Sequence, residues 1–89
     1  MLKIYFSKTF EKSYKKRIRD NKKLRIQYQK RVALFQKNSQ SLLLYTHKLT
    51  GGAIDRYAFS ITGDIRVVYR IYEDGSVLFD DIGSHNQVY

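Results

Sequence analysis

Residues 56–72 read Arg-Tyr-Ala-Phe-Ser-Ile-Thr-Gly-Asp-Ile-Arg-Val-Val-Tyr-Arg-Ile-Tyr. Large apolar side chains occupy alternate positions on both sides of Thr62-Gly63-Asp64. A period of two predicts β-strands, and three turn residues that include a glycine predict a hairpin between them. A turn at 62–64 pairs Phe59 with Val67 and Tyr57 with Tyr69, which keeps the apolar side chains on one face. The other face then carries Arg66.

The segment that follows predicts a third strand of the same antiparallel meander. Asp74-Gly75 is typical of a hairpin turn, and the last strand runs from Val77 to Ile82. Asp80-Asp81 interrupts the alternation and predicts a β-bulge. We expect the chain to turn at Gly83.

The first 41 residues predict a strand followed by two helices. Leu2, Ile4 and Phe6 alternate with polar or aromatic residues, as in a half-buried strand. Ser7 or Thr9 is suited to cap the first helix and Asp20-Asn21 the second. Each helix has an apolar stripe at helical spacing, formed by Phe10, Tyr14 and Ile18 in the first and by Leu24, Tyr28, Val32 and Phe35 in the second.

These elements assemble into one α+β domain over residues 1–89, in the order β-α-α-β-β-β. A helical hairpin packs on a mostly antiparallel sheet, in which the first strand is either an edge or an inner strand. Leu42–Tyr45 is predicted to be a buried connector or a helical turn. His47 falls in a loop before Gly51-Gly52.

Charge is unevenly distributed along this basic chain of net charge +9. Residues 1–40 hold thirteen Lys/Arg against two acids, whereas residues 41–89 hold four against six. A basic half favours a polyanionic partner, either nucleic acid or an acidic protein. The residues predicted to contact RNA phosphates surround the turn between the helices and are Lys15, Lys16, Arg19, Lys22, Lys23 and Arg25. The same surface would suit an acidic protein segment.

Several classes of protein are excluded by composition. The chain has no cysteine, so it has neither disulfides nor a thiolate nucleophile or metal site. It has no apolar run near the length of a membrane span. We expect a cytoplasmic protein with no membrane contact and no cofactor or bound metal.

Three motifs follow one another along the chain: His47-Lys48-Leu49-x-Gly51, Phe59-Ser60-Ile61-x-x-Asp64-x-Arg66-Val67-Val68-Tyr69 and Ile82-Gly83-Ser84-His85-x-x-Val88-Tyr89. In this order and spacing they resemble toxins of the RelE/ParE superfamily, of the RelE and YafQ kind found in bacterial type II toxin–antitoxin pairs. Relatives of the YafQ kind tend to carry Asp and His where this chain has Ala58 and Ser60. Arg66 matches the strand arginine of the RelE branch.

The resemblance implies an endoribonuclease that cuts mRNA in the A site of the 70S ribosome and is neutralised by a cognate antitoxin. Two alternatives stay open at this point. One is a ParE-like gyrase poison on the same fold, which needs no pair of histidines. The other is a basic nucleic-acid-binding module without catalysis.

Metal-independent RNA cleavage needs a base for the 2′-hydroxyl, an acid for the leaving 5′-oxygen and a cation for the phosphorane. Free histidine has a pKa of about 6.5 and suits both proton transfers. We therefore predict His47 and His85 as the acid–base pair in either order, and Arg66 as the phosphate ligand, with help from Lys48. Tyr89 is predicted to stack on a base or to position His85. Asp64 is predicted to orient a histidine or to hold substrate.

Overall fold

The computed structural model describes residues 2–52 and 54–89. Strand β1 is Ile4–Phe6, followed by helices α1 (Lys8–Arg17) and α2 (Lys22–Lys37) and a 3-10 turn at Leu42–Leu44. The remaining elements are β2 (His47–Lys48), β3 (Tyr57–Ser60), β4 (Ile65–Ile71), β5 (Val77–Ser84) and α3 (His85–Val88). The predicted α+β class is confirmed. None of the helices described is long and apolar enough to cross a membrane.

The five strands form one sheet in the order β1-β5-β4-β3-β2. β1 lies at an edge and runs parallel to β5, and all other pairs are antiparallel. The predicted register of the hairpin is confirmed, because Tyr57 pairs with Tyr69 and Phe59 with Val67. The predicted bulge is also present, since Val68 pairs with Asp81 and Tyr69 with Phe79, which leaves Asp80 unpaired.

The helical hairpin covers one face of the sheet because its apolar stripes meet the alternating strand residues there. Phe35 of α2 stacks on Phe59 with ring centroids 4.4 Å apart and meets Tyr69 edge-on at 4.9 Å. Burial raises the pKa of the Tyr69 hydroxyl to about 12. The helices start as predicted, with Ser7 accepting from the Phe10 N–H at 3.0 Å and Asn21 from the Leu24 N–H at 3.1 Å.

Two local expectations are wrong. His47 lies on a short strand, not in a loop, because its backbone pairs with Ala58 at the edge of the sheet. The chain does not turn at Gly83, since β5 continues to Ser84 and the chain then enters α3. The helical turn predicted in the segment 42–45 is present, and Leu44 is its buried residue.

Strand β1 covers only part of the edge of β5, because its partners there are residues 77–79. Side chains of the first helical segment contact the remainder of that edge. Ser7 donates its hydroxyl to the Asp80 carbonyl at 2.8 Å, and Arg17 Nη1 donates to the Ile82 carbonyl at 2.8 Å. Arg17 also lies 3.6 Å from the Asp81 carboxylate. The C-terminal end of α1 is thereby fixed beside the end of β5.

Candidate active site

The strand register places the polar side chains of the site on the sheet face that the helical hairpin leaves open. His47 pairs with Ala58, and Ser60 pairs with Arg66. Paired residues project to the same face, and alternate residues of one strand share a face. His47, Ser60 and Arg66 therefore project from the face opposite Phe59.

The segment after β5 folds back onto this open face. Val88 is buried there against Ala58 and Val68. The Ser84 N–H donates to Oε1 of Gln87 at 2.8 Å, which stabilises the short helix α3 at its start. As a result Tyr89, the residue after Val88, is held above the sheet close to Arg66.

Tyr89 contacts three of the side chains predicted to act in catalysis. Its hydroxyl lies 3.2 Å from Nε2 of His47. The His85 ring meets the Tyr89 ring edge-on with centroids 4.4 Å apart. The Arg66 guanidinium carbon lies 5.8 Å from the centre of the same ring, within the range of a cation–π contact. Residues from β2, β4 and α3 are joined in this way through one aromatic side chain.

The tautomer of neutral His47 follows from its two hydrogen bonds. Nδ1 lies 3.0 Å from the backbone carbonyl of Tyr45, which can only accept a hydrogen bond. The proton of the neutral ring is therefore on Nδ1. Nε2 carries the lone pair of the neutral ring, and the hydroxyl of Tyr89 donates to it. His47 is arranged as a proton acceptor.

Arg66 differs from the neighbouring arginines because no carboxylate among the described residues pairs with it. Its Nη1 reaches Ser60 Oγ at 3.5 Å, a long hydrogen bond, and its buried Nε has no hydrogen-bond partner. Neither Asp80 nor Asp81 pairs with Arg66. Asp80 is held instead by Arg70, with Nε 2.9 Å from Oδ2, and Arg56 lies 3.9 Å from the same oxygen.

An open groove of about 400 Å³ lies beside this cluster. Its lining contains two arginines and a histidine, Arg31, Arg66 and His47. The rest of the lining is Leu43, Tyr45 and residues 60–63 at the end of the β3–β4 hairpin. No carboxylate is among these lining residues. A groove of this size and charge is suited to an anion such as a phosphodiester with an attached nucleoside.

The other residues predicted for the site lie further out. Asp64 is exposed in the β3–β4 turn, and in the described part of the chain its carboxylate bonds neither histidine. Lys48 is exposed and lies 3.4 Å from Asp55. Sequence reasoning missed Tyr45 and Arg31, which line the groove from the 3-10 turn and from α2. The described residues contain no cluster of three or more His, Asp or Glu able to hold a metal ion.

The basic residues predicted to contact RNA are exposed or half-buried at the end of α1, in the turn and at the start of α2. Two of them stabilise the turn, since Arg25 donates to the Arg19 carbonyl at 2.6 Å and Arg19 lies 3.3 Å from Asp20. Near this turn, the side chains of Arg17 at the end of α1 and of Gln87 in α3 both approach Gly83.

Comparison with known proteins places these features in context. The family model for YafQ, a bacterial toxin of type II toxin–antitoxin systems, matches residues 2–89. A metal-bound toxin from Helicobacter pylori is similar in structure, with 26% identity, a TM-score of 0.78 and full coverage of both chains. No curated protein is detectably similar to the chain.

Two further solved structures are similar in fold. YafQ from the E. coli DinJ–YafQ complex shares 17% identity at a TM-score of 0.74, over 100% of this chain and 99% of that one. A YoeB dimer from Staphylococcus aureus shares 21% identity at a TM-score of 0.74, over 94% and 97% of the two chains.

Proposed function

Because the chain belongs to the YafQ family of type II toxins, we propose that it is an endoribonuclease that cuts mRNA in the ribosomal A site. The observation that carries the proposal is the contact of Tyr89 with His47, His85 and Arg66 beside one groove. A gyrase poison that acts by binding protein has no need of this arrangement. A cognate antitoxin neutralises the protein, as the complex of E. coli YafQ with DinJ suggests by analogy.

In the proposed reaction the 2′-oxygen of the substrate attacks the adjacent phosphorus. Nε2 of His47, the unprotonated nitrogen of the neutral tautomer, takes the 2′-hydroxyl proton after the 2′-hydroxyl replaces the Tyr89 hydroxyl as its hydrogen-bond donor. His85 donates a proton to the leaving 5′-oxygen. The O2′–P bond forms and the P–O5′ bond breaks, which gives a 2′,3′-cyclic phosphate and a 5′-hydroxyl. Each proton transfer accounts for about 10²–10⁴-fold in rate.

Arg66 binds the non-bridging phosphate oxygens and stabilises the charge that develops on them. A guanidinium offers parallel N–H donors that match two oxygens of a phosphate. Arg66 is half-buried without an acidic partner, so it has donors available for a ligand. Tyr89 positions His47 through its hydroxyl and the Arg66 guanidinium through its ring face.

The basic cluster at the turn between α1 and α2 binds phosphates of ribosomal RNA. Such contacts give affinity without base preference. The reaction takes place in the cytoplasm, where ribosomes translate.

The test compares the parent with His47→Ala and His85→Ala, each expressed from a tightly repressed promoter, by growth and by mapped mRNA 5′ ends. We expect the parent to arrest growth and to create new 5′-hydroxyl ends, and each variant to lower cleavage about 10²–10⁴-fold. Thr50→Ala and Asn86→Ala, exposed neighbours on the same segments, serve as controls and should behave like the parent. DNA damage without new mRNA ends in the parent would instead support the gyrase alternative.

A further inference from the structure

Tyr45 has a backbone conformation that its residue type disfavours. With φ of 49° and ψ of 40° it is left-handed, and no other non-glycine residue in the described ranges has positive φ. A residue that ends a helical turn in this conformation is usually Gly or Asn, because a Cβ is crowded there. Local backbone preference therefore does not explain a tyrosine, and strained positions of this kind are frequent at functional sites.

The loop around Tyr45 is fixed by hydrogen bonds on both sides. Arg31 Nη1 donates to the Leu43 carbonyl at 2.6 Å. Thr46 donates its hydroxyl to the Ser39 carbonyl at 2.9 Å. The backbone at Tyr45 is thereby held in place, so the side chain projects from a defined position.

Packing within the molecule does not account for the Tyr45 ring either. The residue is 72% exposed, and its hydroxyl forms no hydrogen bond within the described part of the chain. The ring nevertheless lines the groove that also contains His47 and Arg66. The backbone carbonyl of Tyr45 also lies 3.0 Å from Nδ1 of His47, the proposed general base. One residue therefore both orients His47 and carries the exposed ring.

We propose that Tyr45 is a stacking platform for a base of the substrate RNA, next to the phosphate bound between His47 and Arg66. The inference rests on the proposed ribonuclease function and adds a residue that contacts a nucleobase. Every nucleobase has a flat face, and an exposed aromatic ring binds it with little dependence on base identity. Because the Tyr45 ring is held beside His47, a nucleobase stacked on it has a restricted position relative to Nε2 of His47.

The lining of the groove favours RNA over an apolar protein segment as its ligand. Arg31 and Arg66 contribute positive charge to the lining, and no lining residue is acidic. Leu42, the most exposed apolar residue of the loop at 90%, is not part of the lining. Positive charge together with an exposed aromatic ring is the combination by which proteins bind single-stranded nucleic acid.

The test measures single-turnover cleavage on ribosomes programmed with mRNA, using the parent, Tyr45→Phe and Tyr45→Gly. We expect Tyr45→Phe to keep most of the rate and Tyr45→Gly to lose about 10- to 100-fold. Tyr45→Gly should melt at the same temperature as the parent or higher, because glycine accepts the left-handed backbone. Leu42→Ala, in the same loop but outside the groove, should cleave like the parent.

A second substrate separates stacking from other roles. Each base of the A-site codon is replaced in turn by an abasic residue. The parent should cleave more slowly when the missing base is the one that stacks on Tyr45, whereas the cleavage rate of Tyr45→Gly should not fall further at that position. If the parent cleaves normal mRNA and Tyr45→Gly cleaves it at the same rate, this inference alone is overturned. It is also overturned if Tyr45→Gly loses cleavage only because its melting temperature is lower. A parent that cuts no mRNA overturns the proposed function, and this inference with it.

Discussion

Two arginines of β4 show how the partners of a residue decide its role. Arg66 and Arg70 are four residues apart on the same face of one strand. Arg70 forms two contacts with the Asp80 carboxylate, at 2.9 Å and 3.0 Å. Arg66 has only a long bond to Ser60, so its charge is available to a ligand.

Replacing Arg66 by alanine should therefore affect mainly the cleavage rate, whereas replacing Arg70 should affect mainly the stability. Arg66→Ala is expected to lower the cleavage rate by about 10²–10³-fold, as for removal of a group that stabilises transition-state charge. The free energy of unfolding should change by less than about 0.5 kcal/mol. Urea denaturation and single-turnover cleavage measure the two effects.

Arg70→Ala is the matched control and leaves the half-buried Asp80 without its main partner. It should lower the free energy of unfolding by roughly 1.5–3 kcal/mol, the usual contribution of hydrogen bonds to a charged group. Cleavage per folded molecule should stay near that of the parent. An Arg66→Ala protein that cuts as fast as the parent would remove Arg66 from the mechanism.

At the scale of elements, side chains of α1 and α3 meet over a glycine of β5. A Cβ on Gly83 would lie 2.6 Å from Arg17 Nη1, 2.7 Å from Gln87 Oε1 and 3.1 Å from Gln87 Cβ. A methyl group there would push aside the ends of two side chains that are hydrogen-bonded, Arg17 to the Ile82 carbonyl and Gln87 to the Ser84 N–H. The bond of Gln87 stabilises the start of α3, the helix that precedes Tyr89.

Gly83→Ala should push the Gln87 side chain away from the Ser84 N–H and loosen the start of α3. We expect the cleavage rate to fall about 10-fold because Tyr89 is held less firmly against His47, and the free energy of unfolding to fall by about 1 kcal/mol, as for the loss of one hydrogen bond. Gly63→Ala is the control for stability, since nothing lies within 4 Å of a Cβ there. If Gly83→Ala cleaves at the parental rate, Tyr89 does not need this placement.

The prediction of elements from sequence succeeded where the signal was local. The pairing of Phe59 with Val67 follows from alternation and turn length, and the caps at Ser7 and Asn21 follow from side chains that bond nearby N–H groups. The strand at His47–Lys48 was missed because two residues are too few to show the alternation of apolar and polar side chains that indicates a strand. The parallel edge position of β1 depends on residues more than 70 positions away.

The site was only partly predictable for the same reason. His47, His85, Arg66 and Tyr89 were named by resemblance, and the structure brings them together through contacts that no spacing rule specifies. Tyr45 was missed because its signal is a backbone angle, and tyrosine is a poor sequence indicator of the left-handed conformation.

At the scale of the whole molecule, the groups that we propose to be catalytic and the excess positive charge lie on different elements. The family match confirms the resemblance that the motifs indicated. The side chains of the groove come mainly from the second half of the chain, whereas the positive charge is concentrated in the first 40 residues. Binding to the ribosome and cleavage should therefore be separable by mutation.

The double variant Lys22→Glu/Lys23→Glu tests this separation. It should weaken ribosome binding and make that binding less dependent on salt, because fewer counterions are released. Lys37→Glu/Lys30→Glu is the control of equal charge change toward the other end of α2, which is about 24 Å long. Binding measured between 50 and 200 mM salt distinguishes them, and identical slopes for the two double variants would exclude a specific role of the turn.

The pairing of β1 with β5 also has a consequence for the order of folding. The meander of β3, β4 and β5 is closed by short turns, whereas the Ser7–Asp80 bond joins residues 73 positions apart. Loop closure over such a distance is slow relative to hairpin formation. The hydrogen bond between His47 and Tyr89 likewise spans 42 positions. We therefore expect the catalytic groups to come together late, so that folding intermediates with a formed meander lack nuclease activity.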